Sequence, residues 1–503
     1  MPNPLHDALL ASLAGDPRPF LSGPDGAALS RAAFHERAAR AAGALTALGA
    51  RPGDRVVAQV EKSPEALALY AACLMAGAVF TPLNTAYTPV ETAYFVGDAE
   101  PALVVADPAA APELEEAAEA VGARVVTLDA AGRGSFAEAV DAAASPPRPA
   151  ERREDDLAAI LYTSGTTGRS KGAMLTHANL LSNAETLAEA WRFSRRDVLL
   201  HALPIFHAHG LFVAVNVTLA AGASMIFLPR FDSDAVIAAL PQATAMMGVP
   251  TFYTRLLARE DFTREVCGHM RLFVSGSAPL LPETHEAFEE RTGHRILERY
   301  GMTETGMNCS NPYDGHRRPG SVGPALAGVE ARVADPESGR VLPRGEIGVL
   351  EVRGPNVFKG YWRMPDKTAA EFRSDGFFIT GDLARIDAED YVEIVGRAKD
   401  LVITGGFNVY PREVEAAIDA APGVLESAVI GVPHPDFGEA VFAVVAPEPG
   451  AAPSEADILA ALGDLAKFKR PKRVVFLDAL PRNAMGKVQK AELRRTYADA
   501  FVG

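Results

Sequence analysis

Cysteine is scarce in these 503 residues: Cys73, Cys267 and Cys309 stand far apart and form no C-x-x-C spacing. That scarcity excludes a disulfide framework and a thiolate zinc site, and it suits a reducing compartment. An excess of positive charge is missing too. Against 64 Asp and Glu there are 49 Lys and Arg, a formal net charge of −15 that would repel a phosphate backbone, so no nucleic acid partner is expected. Long uninterrupted apolar runs are also lacking. Ala66 to Phe80 is 15 residues, short of the ~18 a spanning helix needs, and Pro82 and Asn84 follow it. Gly210 to Leu228 is broken by Asn216, Thr218, Gly222 and Ser224. Both read as a buried helix running into a strand, with no membrane partner. The apolar piece Ala8 to Ala14 follows Asp7, with no Lys or Arg before it, so no targeting segment is read and a cytoplasmic protein is expected.

What is present is an ordinary globular composition, 48% hydrophobic and 22% charged, in a chain long enough for at least two domains. Residues 1 to about 150 alternate helical and strand-like runs. Leu29 to Leu48 is rich in Ala and Leu, while Arg55 to Gln59, Leu103 to Ala106 and Ala123 to Leu128 look like strands, the pattern of an α/β sheet with helices on its faces. Beyond Pro411 the elements shorten and mix, and a second core of about a hundred residues is expected there. The compact charged stretch Arg397 to Asp400 reads as the link between the two.

Tyr162 to Gly172, Y-T-S-G-T-T-G-R-S-K-G, is the strongest chemical signal. The apolar run Leu157 to Leu161 reads as a strand before it, and Leu175 to Trp191 has helical spacing after it, so a strand, a glycine-rich turn and a helix are expected. Glycines let backbone N–H groups converge, hydroxyls add donors and Lys171 adds charge, a combination suited to polyphosphate. The spacing is not that of a Walker loop. Two further strands, Met270 to Ser277 and Ile296 to Thr305, empty into polar turns, and ligands in open α/β sheets bind where strands end. His201 to Gly210 carries three histidines without an accompanying carboxylate or cysteine, which favours pocket walls over a metal site.

Seven motifs in order carry a family resemblance: T-S-G-T-T-G-R-S-K-G at 163, V-S-G-S-A-P-L at 274, Y-G-M-T-E at 300, T-G-D at 380, G-R-A-K-D at 396, G-G-F-N-V-Y-P-R-E-V-E at 405 and P-R-N-A-M-G-K at 481. From about residue 30 to the end, the chain resembles the adenylate-forming superfamily of acyl-CoA synthetases, luciferases and nonribosomal adenylation domains, and within it the malonyl-CoA synthetases most. The resemblance implies an α/β fold with a large N-terminal domain of packed α/β sheets, residues 1–398, and a small mobile C-terminal α+β domain, 399–503. It also implies ATP, magnesium and coenzyme A: a carboxylate attacks the α-phosphate to give an acyl-adenylate and pyrophosphate, and the thiol of coenzyme A then displaces AMP.

Roles follow by position, as the resemblance implies them. Thr163, Ser164, Gly165, Thr166, Thr167, Gly168 and Lys171 hold the β- and γ-phosphates, and Glu304 holds magnesium. Tyr300 stacks on adenine, with Gly301 and Thr303 beside it and Gly276, Ser277 and Ala278 closing the nucleotide pocket. Asp382 and Arg397 hold the ribose hydroxyls, and Lys487 is the mobile catalytic cation. Lys399 is the hinge, and Gly405 and Gly406 approach the pantetheine arm of coenzyme A. Arg299 departs from the small residue common before Y-G-M-T-E. Either it pairs with a neighbouring acid such as Glu298 or Glu283, or with Ser277 it binds the second carboxylate of a short dicarboxylic acid, His207 and Met307 walling the pocket. The second reading predicts a malonate, possibly methylmalonate, ligase; a medium- or long-chain fatty acyl-CoA synthetase and an adenylation domain loading a carrier protein are the alternatives. Nothing in the residues speaks to oligomeric state.

Overall fold

The structure is a computed structural model that describes residues 3–23, 26–143, 148–163, 170–463, 465–483 and 487–501. Contacts divide the chain into two compact units, Met1–Glu330 with Val352–Phe378, and Ala331–Glu351 with Ile379–Gly503. Among the described residues no helix is long and apolar enough to cross a membrane.

The first unit holds two large sheets. One has six strands in the order Arg124–Thr127, Leu103–Ala106, Arg55–Gln59, Val79–Pro82, Leu157–Thr163 and Lys171–Thr176. Its first five strands run parallel, and R-V-V-A-Q, V-F-T-P and L-V-V-A are apolar almost throughout, as a sheet covered on both faces requires. Ala66 to Phe80 becomes the helix Pro64–Ala76 and the strand Val79–Pro82. Ser63 caps the helix through Ala66 N–H, and Gly77 ends it at φ 71°.

The other sheet has eight strands, and its parallel centre is formed by Leu297–Met302, Leu272–Ser275, Ala245–Gly248, Val198–His201 and Ser224–Phe227. Parallel strands end on one side, so the turns after Gly248, Ser275 and Met302 and the histidine segment after His201 gather at one edge. Phe273, Met246 and Tyr253 pack there against the helix Pro282–Thr292 through Phe288.

One expectation needs correction. The glycine-rich stretch is followed by a strand before the helix: Lys171–Thr176 pairs antiparallel with Leu157–Thr163, Lys171 opposite Thr163, and the helix starts at His177, two residues later than the Leu175 expected. Thr176 caps that helix in a box with Asn179, and this cap fixes where strand gives way to helix. Residues 172–174 also pair on their other side: Trp362 N–H donates to Gly172 O at 2.7 Å and Met174 N–H to Gly360 O at 2.9 Å. With partners on both edges, K-G-A-M-L-T satisfies its backbone as a strand.

The second unit contains a four-stranded sheet, Glu330–Ala334, Ile347–Arg353, Phe378–Ile386 and Val392–Arg397, and a five-stranded sheet built on the long hairpin Val424–His434 and Gly438–Pro447. Period-two alternation gives the hairpin two apolar faces. Val429, Val441, Ala443 and Val445 pack on the helix Pro411–Asp419 side, while Ala428, Ile430, Phe442 and Val444 pack against Leu493 of the closing helix. A short helix, Glu455–Ala461, capped by Ser454, follows the hairpin.

Candidate active site

The phosphate-loop residues Ser164, Gly165, Thr166, Thr167 and Gly168 lie outside the described residues; its two ends do not. Thr163 and Lys171 face one another across the ladder that closes the loop. Thr163 Oγ1 lies 3.5 Å from Glu304 Oε1. Glu304 occupies the tight connection between Leu297–Met302 and the antiparallel strand Gly306–Ser310, where Gly301 must be glycine: an added Cβ would sit 2.1 Å from Gly306 O. The carboxyl is buried, which raises its pKa, and Tyr361 O–H lies 3.1 Å from Oε1. Lys171 Nζ is 3.1 Å from Glu371 Oε1 and 4.0 Å from the centroid of the Tyr361 ring. Glu304 and Thr163 would fit magnesium in the way that ion is usually held, by one or two carboxylates with water and substrate phosphates completing the shell. Among the described residues no group of three or more His, Cys, Asp or Glu forms a metal cage.

Arg299 lies on Leu297–Met302, between the parallel strand Leu272–Ser275 and the antiparallel edge strand Gly306–Ser310, where it is opposite Ser310. It is 3% exposed, and among the described residues its Nε and Nη2 have no hydrogen-bond partner. Burial lowers its pKa to about 9, with only the phenol of Tyr253 pulling the other way. Glu298, its neighbour on the strand, points to the opposite face, its Oε1 accepting from Leu280 N–H, and no carboxylate among the described residues figures among the influences on the guanidinium. Arg299 lies flat on Gly276, where an added Cβ would come within 2.4 Å of Cζ. Ser277 follows at φ 71°, a left-handed conformation that a serine adopts only under constraint. This turn presents Ser277 Oγ to His209 Nδ1 at 3.2 Å.

The histidine segment is tied down from behind. His201 Nε2 lies 2.8 Å from Gly210 O, so Nε2 carries the proton and Nδ1 accepts from Lys62 Nζ, also at 2.8 Å. Lys62 donates again to His201 O at 2.9 Å, and burial drives its pKa well below that of a free lysine. His207 Nδ1 accepts from His209 N–H at 3.2 Å, so His207 shapes the turn while His209 reaches Ser277. The three-histidine segment pointed to His207 and took in His209 without assigning it a role; Lys62, Tyr361 and Glu371 carried no local signal. Met307 is buried, with its methyl against Gly301. Tyr300, Gly301, Thr303 and Ala278 are all partly exposed around these turns.

In the second unit Asp382 and Arg397 are cross-strand partners, Arg397 Nε lying 2.7 Å from Asp382 Oδ1. Asp382 N–H is anchored on Thr380 Oγ1, which itself donates to Leu350 O. Lys399 sits in a single turn, Ala398–Asp400, and burial lowers its pKa against the opposing pull of Asp400. Gly405 and Gly406, at φ 56° and 81°, make the turn between Val402–Thr404 and Phe407–Val409. Lys487 is exposed, and its backbone exchanges hydrogen bonds with Asn483.

The profile of the AMP-binding enzyme family matches residues 14–362, and that of the AMP-binding enzyme C-terminal domain matches 413–487. The chain belongs to the AMP-binding enzyme family. Relatives within it include a feruloyl-CoA synthase of Amycolatopsis, 38% identical over 477 residues and covering 94% of both chains. The mitochondrial malonate–CoA ligase of Mus musculus is 38% identical over 456 residues, 83% of this chain and 77% of that one. Among solved structures, ATP-bound MatB from Rhodopseudomonas palustris is 60% identical over all of both chains, with a TM-score of 0.98. The adenylate-forming fold anticipated from the motifs is therefore this chain's fold, α/β in its large part with a smaller C-terminal domain, and its chemistry is that of AMP-forming acid–thiol ligases.

Proposed function

We propose that this AMP-binding enzyme joins a short dicarboxylic acid, malonate first and methylmalonate second, to coenzyme A at the expense of ATP, by way of an acyl-adenylate. One observation carries the choice of acid: Arg299, a buried guanidinium with two nitrogens lacking partners and no carboxylate of its own. The distal carboxylate of malonate supplies what is missing, two oxygens in the plane of the fork. A fatty or aromatic acid would leave the charge unpaired, at roughly 3–5 kcal/mol. Each extra buried methylene returns only about 0.8 kcal/mol, so a longer chain does not make up the difference. The malonate–CoA ligase among the relatives supports this reading, and the feruloyl-CoA synthase is its natural competitor.

The other groups take their places around that acid. Ser277, held by His209, donates to the same carboxylate, and His207 and Met307 bound the carbon between the two acid groups. Thr163 to Gly168 and Lys171 take the β- and γ-phosphates. Tyr300, Gly301, Thr303 and the backbone of Gly276 to Ala278 enclose the base, and Asp382 with Arg397 takes the ribose. Glu304 holds magnesium, which when bound neutralises phosphate charge. Lys487 supplies positive charge where the acid oxygen meets the α-phosphate. Once the adenylate is made, residues 399–503 turn about Lys399, withdrawing Lys487 and bringing Gly405 and Gly406 to the pantetheine arm. The three cysteines are buried and free, which suits a reducing compartment, and on that ground we place the reaction in the cytoplasm. Pyrophosphate release measured with malonate, methylmalonate, succinate, acetate, octanoate and ferulate tests the assignment. Malonate should give the highest kcat/KM, and a preference for octanoate or ferulate would overturn it.

A further inference from the structure

Two residues outside every recognised motif meet at Lys171. The segment 359–362 runs antiparallel to 172–174, with Lys359 N–H on Met174 O at 3.0 Å and Trp362 N–H on Gly172 O at 2.7 Å. That pairing sets Tyr361 against the strand that begins with Lys171, its ring 4.0 Å from Nζ. The helix Pro365–Ala370 then returns the chain, so that Glu371 Oε1 lies 3.1 Å from the same nitrogen and Glu371 Oε2 accepts the Tyr361 hydroxyl at 2.6 Å. Lys367, one turn back, also lies 2.8 Å from Oε1.

The lysine and the glutamate keep only 17% and 20% of their side-chain exposure, so this pair is shielded from the screening that makes surface ion pairs weak. A lysine stem left to itself has about 2 kcal/mol of rotamer entropy to lose when a phosphate captures it. Here that ordering is done in advance: the ring takes one face of the ammonium, Glu371 takes one N–H, and further N–H donors stay available to an anion. The Tyr361 hydroxyl has one proton, and the shorter contact gives it to Glu371, fixing the carboxylate that fixes the lysine.

We propose that Tyr361 and Glu371 are positioning residues that hold the Lys171 ammonium at the mouth of the phosphate loop, so that it meets the β- and γ-phosphates of ATP already ordered. The proposal rests on the assignment of Lys171 to those phosphates. It opposes the view of Glu371 as a competitor for the lysine, which would make its removal tighten nucleotide binding.

Titration calorimetry of the full chain with magnesium ATP, magnesium pyrophosphate and AMP separates the cases. Glu371→Gln should weaken ATP and pyrophosphate binding roughly tenfold, the size of one charge-assisted hydrogen bond, and leave AMP binding unchanged. Glu371→Asp should recover part of the loss, and Tyr361→Phe should show the same selectivity should Glu371→Gln fold poorly. In a Lys171→Met background, Glu371→Gln should have no further effect. An equal loss for AMP, a tighter ATP complex, or an undiminished effect without Lys171 overturns the proposal. If Lys171→Met by itself leaves ATP affinity intact, the phosphate assignment falls and takes the proposal with it; if it weakens ATP while Glu371→Gln does nothing, the proposal alone falls.

Discussion

Replacing Arg299 with methionine should move stability and activity in opposite directions. The guanidinium pays for its place in the fold, since its pKa drops from 12.5 to about 9 and two of its nitrogens have no partner. A drop of that size disfavours the charged form by roughly 4–5 kcal/mol. Methionine has similar length and no charge, and exchanging buried ions for apolar side chains stabilises proteins by roughly 1–4 kcal/mol. The melting temperature of Arg299→Met, followed by calorimetry without substrates, should therefore rise by a few degrees. Turnover should fall. Removing one partner of a buried ion pair loses roughly 3–5 kcal/mol, or about 10²- to 10³-fold in kcat/KM for malonate, while the affinity for ATP stays within about twofold. Malonate at a hundred times its dissociation constant should stabilise the parent by about 2.7 kcal/mol, with no matching shift in the variant. A lower melting temperature, or equal loss of malonate and ATP, would refute the reasoning and make Arg299 a structural residue.

Gly276→Ala places a methyl 2.4 Å from Arg299 Cζ and 2.5 Å from Nη1, so the buried guanidinium must shift to admit it, and malonate KM should rise at least tenfold in steady-state kinetics. Burial raises the pKa of Glu304 above its unfolded value, so the folded state keeps that proton to higher pH and stability falls as pH rises through the folded pKa. Glu304→Gln removes this loss. Its melting temperature should exceed that of the parent at neutral pH and converge with it in acid, below the ordinary carboxylate range, while its magnesium-dependent activity is lost at every pH.

The parts of the fold visible in the residues were those with a strong period. The parallel strands R-V-V-A-Q and L-V-V-A, the helix Pro64–Ala76 and the alternating hairpin 424–447 all follow directly from apolar spacing. Lys171–Thr176 did not, because its six residues run into a helical pattern and become a strand only through partners 8 to 190 positions away. In the site, Arg299 could be singled out as an unusual residue type, and alternation along one strand already turns its neighbour Glu298 to the other face, yet the choice between an internal salt bridge and a substrate depended on whether acids from other elements reach the guanidinium, which only the assembled fold decides. Glu371 lies 200 residues from Lys171, and Lys62 lies 139 from His201. No local pattern can bring such pairs together.

The ladder joining Leu157–Thr163 to Lys171–Thr176 has a consequence for how this loop can vary. Because Lys171 is anchored by strand pairing on one side and by residues 359–362 on the other, its position is independent of how many residues cross between Thr163 and Lys171. Insertions or deletions between Thr163 and Lys171 should therefore leave the cation where it is. On the proposed phosphate assignment, loop grafts from other nucleotide-activating enzymes can be attempted between Thr163 and Lys171 without redesigning the sheet beneath.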